Sequence, residues 1–290
     1  MIVKMVHAIV ALAAVAAAIF TGGQVYHLAT RQSVTTTHSM QVGDLTRLYE
    51  EITPVAQLPK SAPIIVVLAG ISAPIPNEVA RDYLVPYANA DKAELVYPAG
   101  YRESWNAGGC CGYAYYDNVD DVAFLTALAA KIDPGHARPL YLVGYSNGGR
   151  MAYRMACSAP GVYDAYAVVK ADPQPGCVVS KPTTILQVAS KDDNAVPYEP
   201  GDDAKETPAA TVQIARLRSA GACATAPVDT DQSGWLTYTE WGCSDDTRVG
   251  FAVYAAGVHA FPPPEPYEPA AAAVIWSFFE NAKTISALPT

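Results

Sequence analysis

Short unbroken apolar runs alternate along this chain with longer stretches in which apolar residues recur every three or four positions. "PIIVVLAG" (63–70) and "AELVYPAG" (93–100) are of the first kind, the mark of strands covered on both faces. Residues 140–144, "YDAYAVVKA" (163–171), "TTILQVAS" (183–190) and "TRVGFAVYAAG" (247–257) predict further strands. Helical spacing appears in "NEVARDYLVPYANA" (77–90), though Pro86 weakens its second half. It recurs in "NVDDVAFLTALAAKI" (118–132), with Asp120 and Asp121 in the first turn, where the helix dipole favours them. "AATVQIARLRSAGA" (209–222) and "AAAAVIWSFFENA" (270–282) complete the helices, and residues 40–52 alternate weakly, as a strand or hairpin does. Strands alternating with helices predict one α/β domain, with a mainly parallel central sheet and helices on both faces.

The first twenty residues stand apart. Lys4 precedes "AIVALAAVAAAIF", a run with the character of a secretory signal and short for a bilayer span. The pattern predicts a signal peptide over 1–22 cut near "FTGGQ", or an uncleaved N-terminal anchor. A polar tract (23–39) and a catalytic domain (40–290) follow, so the expected location is secreted or extracellular, periplasmic or N-terminally anchored. Six cysteines outside that leader fit an oxidising compartment. Cys223 and Cys243 flank a hairpin-like segment and are expected to pair, which stabilises the fold by about 3 kcal/mol in the chain-entropy view. Cys110 and Cys111 are adjacent, so each is expected to bond one of Cys157 and Cys177, in an order the sequence leaves open. No zinc-type spacing appears. A net charge of −9 argues against nucleic acid or an anionic membrane as partner. A substrate with little or no charge, small or polymeric, fits better, and no metal or cofactor is expected.

The chemistry centres on Gly144-Tyr145-Ser146-Asn147-Gly148, a G-x-S-x-G with an apolar strand before it and a helical stretch after it. A serine on so sharp a turn crowds its neighbours against adjacent backbone, which only residues lacking a β-carbon tolerate. The turn lifts the hydroxyl to a helix N-terminus, where the N–H of Asn147 faces a developing oxyanion. The second donor is expected from the loop after "VVLAG", with Ile71 the best candidate and Gly70 letting the backbone turn. Of five histidines only His259 follows the serine, and it comes directly after a strand. Asp192 and Asp193 lie just past the strand "TTILQVAS", where either can orient an imidazole or simply build a turn.

Taken together, "SWNAGGCCG" (104–112), "VDDVAFL" (119–125), "GYSNGGRMAYRMAC" (144–157), "DNAVPY" (193–198) and "GVHAF" (257–261) resemble one family. It is the secreted α/β-hydrolase esterases grouped with polyhydroxybutyrate depolymerases and feruloyl or acetylxylan esterases. "MQVGDLTRLYEEITP" (40–54) resembles that family's first strand, so the similarity spans about residues 40–282. The resemblance implies the α/β-hydrolase fold, Ser146 as nucleophile, His259 as base and Asp193, four residues before Pro197, as acid. The chain departs from the family in carrying Ala69-Gly70 for His-Gly. Around the histidine it carries Val258 before and Phe261-Pro262-Pro263 after, where Gly-His-x-Trp-Pro-Gly is common.

Two further features bear on ligands. "DTDQSGWLTYTE" (229–240) has the oxygen ligands of a calcium loop, but no helix is expected on either side and "WLTYTEW" alternates like a strand. A hairpin with Gly234 at its tip explains the same residues. Tyr97, Tyr101, Trp105, Tyr113, Tyr115 and Tyr116 are candidates for a stacking floor, with Trp105 and Tyr145 expected to line the substrate site. The sequence therefore predicts a serine esterase acting on feruloyl, acetyl or polyhydroxyalkanoate-type esters. Acyl transfer on the same three residues, or a silent binding protein, are the alternatives.

Overall fold

The computed structural model describes residues 33–200, 208–266 and 269–283. The signal sequence expected over 1–22 lies outside them.

Ten strands form one sheet. β1 (Val34–Val42) and β2 (Leu45–Thr53) make an antiparallel hairpin that joins β4 (Glu94–Pro98). β1 thus begins at Val34, so part of the tract expected to precede the domain is paired in the sheet. Beyond β4 come β3 (Ile64–Leu68), β5 (Leu140–Tyr145), β6 (Ala165–Val169), β7 (Thr184–Ser190) and β10 (Arg248–Tyr254), all parallel. β9 (Leu236–Gly242) and β8 (Asp229–Ser233) close the far edge antiparallel, giving the order β1-β2-β4-β3-β5-β6-β7-β10-β9-β8. The segment with calcium-loop spacing is the β8–β9 hairpin, and Glu240 there pairs with Arg248 at 2.6 Å.

The unbroken apolar runs form the centre because β3, β5 and β6 have no exposed residue. Side chains alternate between two cores. Val66, Leu142 and Val168 face one core, with Phe124 and Leu128 of α4 (Asp121–Ile132) and Met151 and Met155 of α5 (Asn147–Ser158). Ile65, Val67, Val143 and Ala167 face the other, with Phe278 and Phe279 of α7 (Ala271–Lys283). Each such side chain contributes about 1.5–3 kcal/mol of burial. The stretch 77–90 forms two short helices, α1 (Ile75–Arg81) and α2 (Val85–Asn89), and Pro86 opens the second. α3 (Tyr113–Tyr116) is a single turn, and α6 (Ala210–Ala220) packs beside β7 and β10. At α4, Asp120 caps the helix by accepting from the Ala123 N–H. Asp121 is buried instead, paired with Arg47 at 2.8 Å and accepting from the Asn106 N–H.

The cysteines correct one expectation. Cys223 and Cys243 are bonded, but Cys110 is bonded to Cys111 and Cys157 to Cys177. The peptide between Cys110 and Cys111 is cis, which brings their Cα atoms to 3.1 Å. The expectation of distant partners rested on their adjacency in the sequence alone.

Candidate active site

Ser146 follows β5 directly and sits at the N-terminus of α5 with φ 52° and ψ −118°. Its N–H donates to the Val169 carbonyl at 3.0 Å, so the end of β6 holds the turn. Both glycines of G-x-S-x-G are demanded by close approach. A β-carbon on Gly144 would meet the Gly148 carbonyl oxygen at 2.3 Å, and one on Gly148 would meet that of Leu68 at 2.2 Å.

Three side chains from three strand ends converge there. His259 Nε2 lies 2.8 Å from Ser146 Oγ, and His259 Nδ1 lies 3.0 and 3.1 Å from the two oxygens of Asp193. Of the two adjacent aspartates, Asp193 turns inward and Asp192 is exposed. Asp193 also accepts from the N–H groups of Ala195 and Val196, so the same carboxylate builds a turn and meets the imidazole. Burial works to raise its carboxyl, but the hydrogen bonds from His259, Val196 and Ala195 outweigh burial and hold it below the usual carboxylate range. With Nδ1 donating to Asp193, Nε2 is the acceptor for the serine hydroxyl.

The expected oxyanion donors flank this serine. A β-carbon on Gly70 would lie 3.6 Å from Ser146 Cβ, which puts the Gly70–Ile71 backbone beside the nucleophile position. Neither the Ile71 N–H nor the Asn147 N–H has a partner among the described residues. The Asn147 side chain is fully engaged: Oδ1 accepts from the Trp105 N–H at 2.7 Å and Nδ2 donates to the Trp105 carbonyl at 3.1 Å.

Trp105 and Tyr145, expected to line the substrate site, are both buried. Trp105 is 1% exposed, stacks on Phe124 and donates from Nε1 to the Ala69 carbonyl at 3.0 Å. It therefore joins the two segments carrying the candidate oxyanion donors, doing at Ala69 what a histidine side chain does not do in this chain. Tyr145 is 6% exposed, and its hydroxyl donates to the His259 carbonyl at 2.8 Å. The departure at Phe261 is local: its buried ring meets the Tyr145 ring edge-on. Of the aromatic candidates for a stacking floor, Tyr113, Tyr115 and Tyr116 on α3 are exposed, with the guanidinium of Arg102 over Tyr113. Ile71, 42% exposed, abuts the start of α3: a β-carbon on Gly112 would lie 3.1 Å from Ile71 Cδ1.

Several buried charges gave no signal in the sequence. Arg150 pairs with Asp172 at 2.7 Å and donates from Nη1 to Cys110 Sγ, fixing the Cys110–Cys111 pair against α5. Glu78 and Asp82 lie beneath the Gly70 loop. Burial pushes each carboxyl up to about 7, against the Arg81 guanidinium for Glu78 and the Leu84 N–H for Asp82. Arg81 stands 3.6 Å from Glu78, and the Gly70 N–H faces that carboxylate without closing a hydrogen bond. Lys170, at the end of β6, is buried as well, 2% exposed.

No family model matches the chain. A protein assigned as esterase NocK from Nocardia uniformis subsp. tsuyamanensis is 31% identical over 63% of this chain and 55% of its own length. The chain thus spans about half of that relative. A protein assigned as feruloyl esterase C from Aspergillus niger is 25% identical over 71% of this chain and 73% of its own. Among solved structures, an acetyl xylan esterase from Aspergillus awamori superposes with a TM-score of 0.57 at 13% identity, covering 84% of this chain and 99% of that one. A protein assigned as a dienelactone hydrolase from Klebsiella pneumoniae gives 0.55 at 15% identity, over 87% and 98%. Sheet order, the serine turn and these superpositions agree: the chain has the α/β-hydrolase fold.

Proposed function

We propose that the protein is a secreted serine esterase. The observation that carries the reading is the continuous hydrogen-bonded chain from Ser146 through His259 to Asp193. His259 Nε2 takes the hydroxyl proton as Ser146 Oγ attacks an ester carbonyl carbon. The N–H groups of Ile71 and Asn147 stabilise the resulting oxyanion, and Asp193 stabilises the imidazolium. The intermediate collapses, the alcohol leaves with the proton from His259, and the acyl group stays on Ser146. Water, deprotonated by His259, then attacks the acyl carbon and releases the acid. Two relatives named as esterases and an esterase of the same fold support ester hydrolysis. Three disulfides and the apolar leader support secretion.

The narrower reading is an ester of an aromatic or acetyl group on polysaccharide, or a polyhydroxyalkanoate. The exposed tyrosines of α3 beside Ile71 favour a substrate with a stacking face. The test is hydrolysis of p-nitrophenyl acetate, methyl ferulate, acetylated xylan and polyhydroxybutyrate by the wild type and by Ser146→Ala. The substitution is expected to lower kcat by at least about 10³-fold with the fold intact. Substantial retained turnover, or no labelling of Ser146 by a fluorophosphonate, refutes the proposal.

A further inference from the structure

The segment that carries His259 has little backbone support. Between Tyr254 and Phe261 the only backbone donors with partners among the described residues are Ala255 and Ala260. Its three consecutive carbonyls, at Gly257, Val258 and His259, each accept from a side chain, that of Val258 from the Ala260 N–H as well. Tyr145 Oη donates to that of His259 at 2.8 Å. Lys170 Nζ donates to that of Gly257 at 2.6 Å and to that of Val258 as well.

Lys170 is an unusual residue for this task. It stands at the end of β6 with φ 49°, next to Val169, whose carbonyl holds the Ser146 N–H. An ammonium is costly to bury unless hydrogen-bonded and matched by charge. The two carbonyls satisfy two of its donors, and Asp193 and Asp192, in the loop after β7, supply the opposing charge. Burial pushes the ammonium down to about 8 while those two acids act to raise it, so it carries its charge at neutral pH.

We propose that Lys170 is a positioning residue: it fixes the His259 loop on the strand that also holds Ser146. The proposal rests on reading Ser146, His259 and Asp193 as the catalytic groups. Releasing the loop lowers kcat by misaligning the base, while substrate contacts are left alone.

The experiment compares Lys170→Met, Lys170→Arg and the wild type. Lys170→Met keeps the aliphatic stem and is expected to lower kcat by about tenfold or more and change KM by less than about threefold. Lys170→Arg keeps donors for the two carbonyls and is expected to recover part of the lost kcat. The His259 ring resonances, followed by NMR on a Ser146→Ala background, are expected to shift and broaden in Lys170→Met, reporting the displaced loop without any turnover. A folded Lys170→Met with wild-type kcat, or with unmoved His259 ring resonances, overturns the proposal. So does a folded Lys170→Arg that recovers no more activity than Lys170→Met. If the wild type hydrolyses no ester but the ring resonances still move in Lys170→Met, the esterase reading falls and the role of Lys170 in setting the His259 loop stands.

Discussion

At the scale of single residues, the site depends on side chains that never face the substrate. Trp105 ties the Ala69 carbonyl through its indole N–H and ties α5 through the Asn147 amide, so both candidate oxyanion donors sit on segments it holds. Trp105→Phe removes the indole donor and keeps the stacking on Phe124. We expect kcat for p-nitrophenyl acetate to fall about tenfold with KM nearly unchanged, and steady-state kinetics checks it. The sequence marked Trp105 but not its contacts to Phe124 and Ala69, because an aromatic within a glycine-rich stretch looks the same whether it stacks on a ligand or on a neighbouring ring. Lys170, Glu78 and Asp82 were invisible for a related reason. Lys170, after an apolar run, reads as a solvated terminator, and Glu78 and Asp82 read as polar positions of a helical stretch; only the packing of other elements over them makes them buried.

At the scale of elements, the parallel strands were legible because burial on both faces leaves each an unbroken apolar run. The antiparallel flanks were less so. β1 is Thr-rich and largely exposed, and nothing in its composition separates it from a polar tract. Ser146 and His259 were legible through chain order and strand context, whereas residue pattern left Asp192 and Asp193 open and the choice of Asp193 came from the family resemblance; the turn buries Asp193 and exposes Asp192. Disulfide connectivity was legible only at the hairpin, where Cys223 and Cys243 are brought together by local pairing. Cys157 and Cys177, on α5 and on the loop after β6, close a 20-residue separation. Replacing both by serine is expected to lower unfolding free energy by about 3 kcal/mol, measured by denaturant titration under non-reducing conditions. The Cys110–Cys111 bond should survive in that variant, detected as a peptide lacking two hydrogens relative to its dithiol form.

For the whole molecule, the buried carboxyls beneath the Gly70 loop set a pH dependence of stability. Glu78 and Asp82 have folded pKa values raised to about 7, above those of the unfolded chain. Below the ordinary carboxylate range both states are protonated and the contribution is fully present. As pH rises toward about 7 the unfolded chain releases these protons first, so stability falls and the contribution is lost above the folded pKa. We expect Tm to drop between pH 5 and pH 8, and Glu78→Gln to flatten that drop by about 2–4 °C in a thermal melt. A drop of equal size in the variant would mean that Glu78 does not titrate in the fold.

The adjacency of Val169 and Lys170 has one further consequence. The alcohol hangs from one of these residues and the loop bearing the imidazole hangs from the next. Jostling of that strand carries nucleophile and base together, as two passengers on one rail, and leaves their separation nearly untouched. Pulling them apart takes rupture of the β5–β6 seam, deep in the sheet, or loss of the Lys170 contacts to the loop.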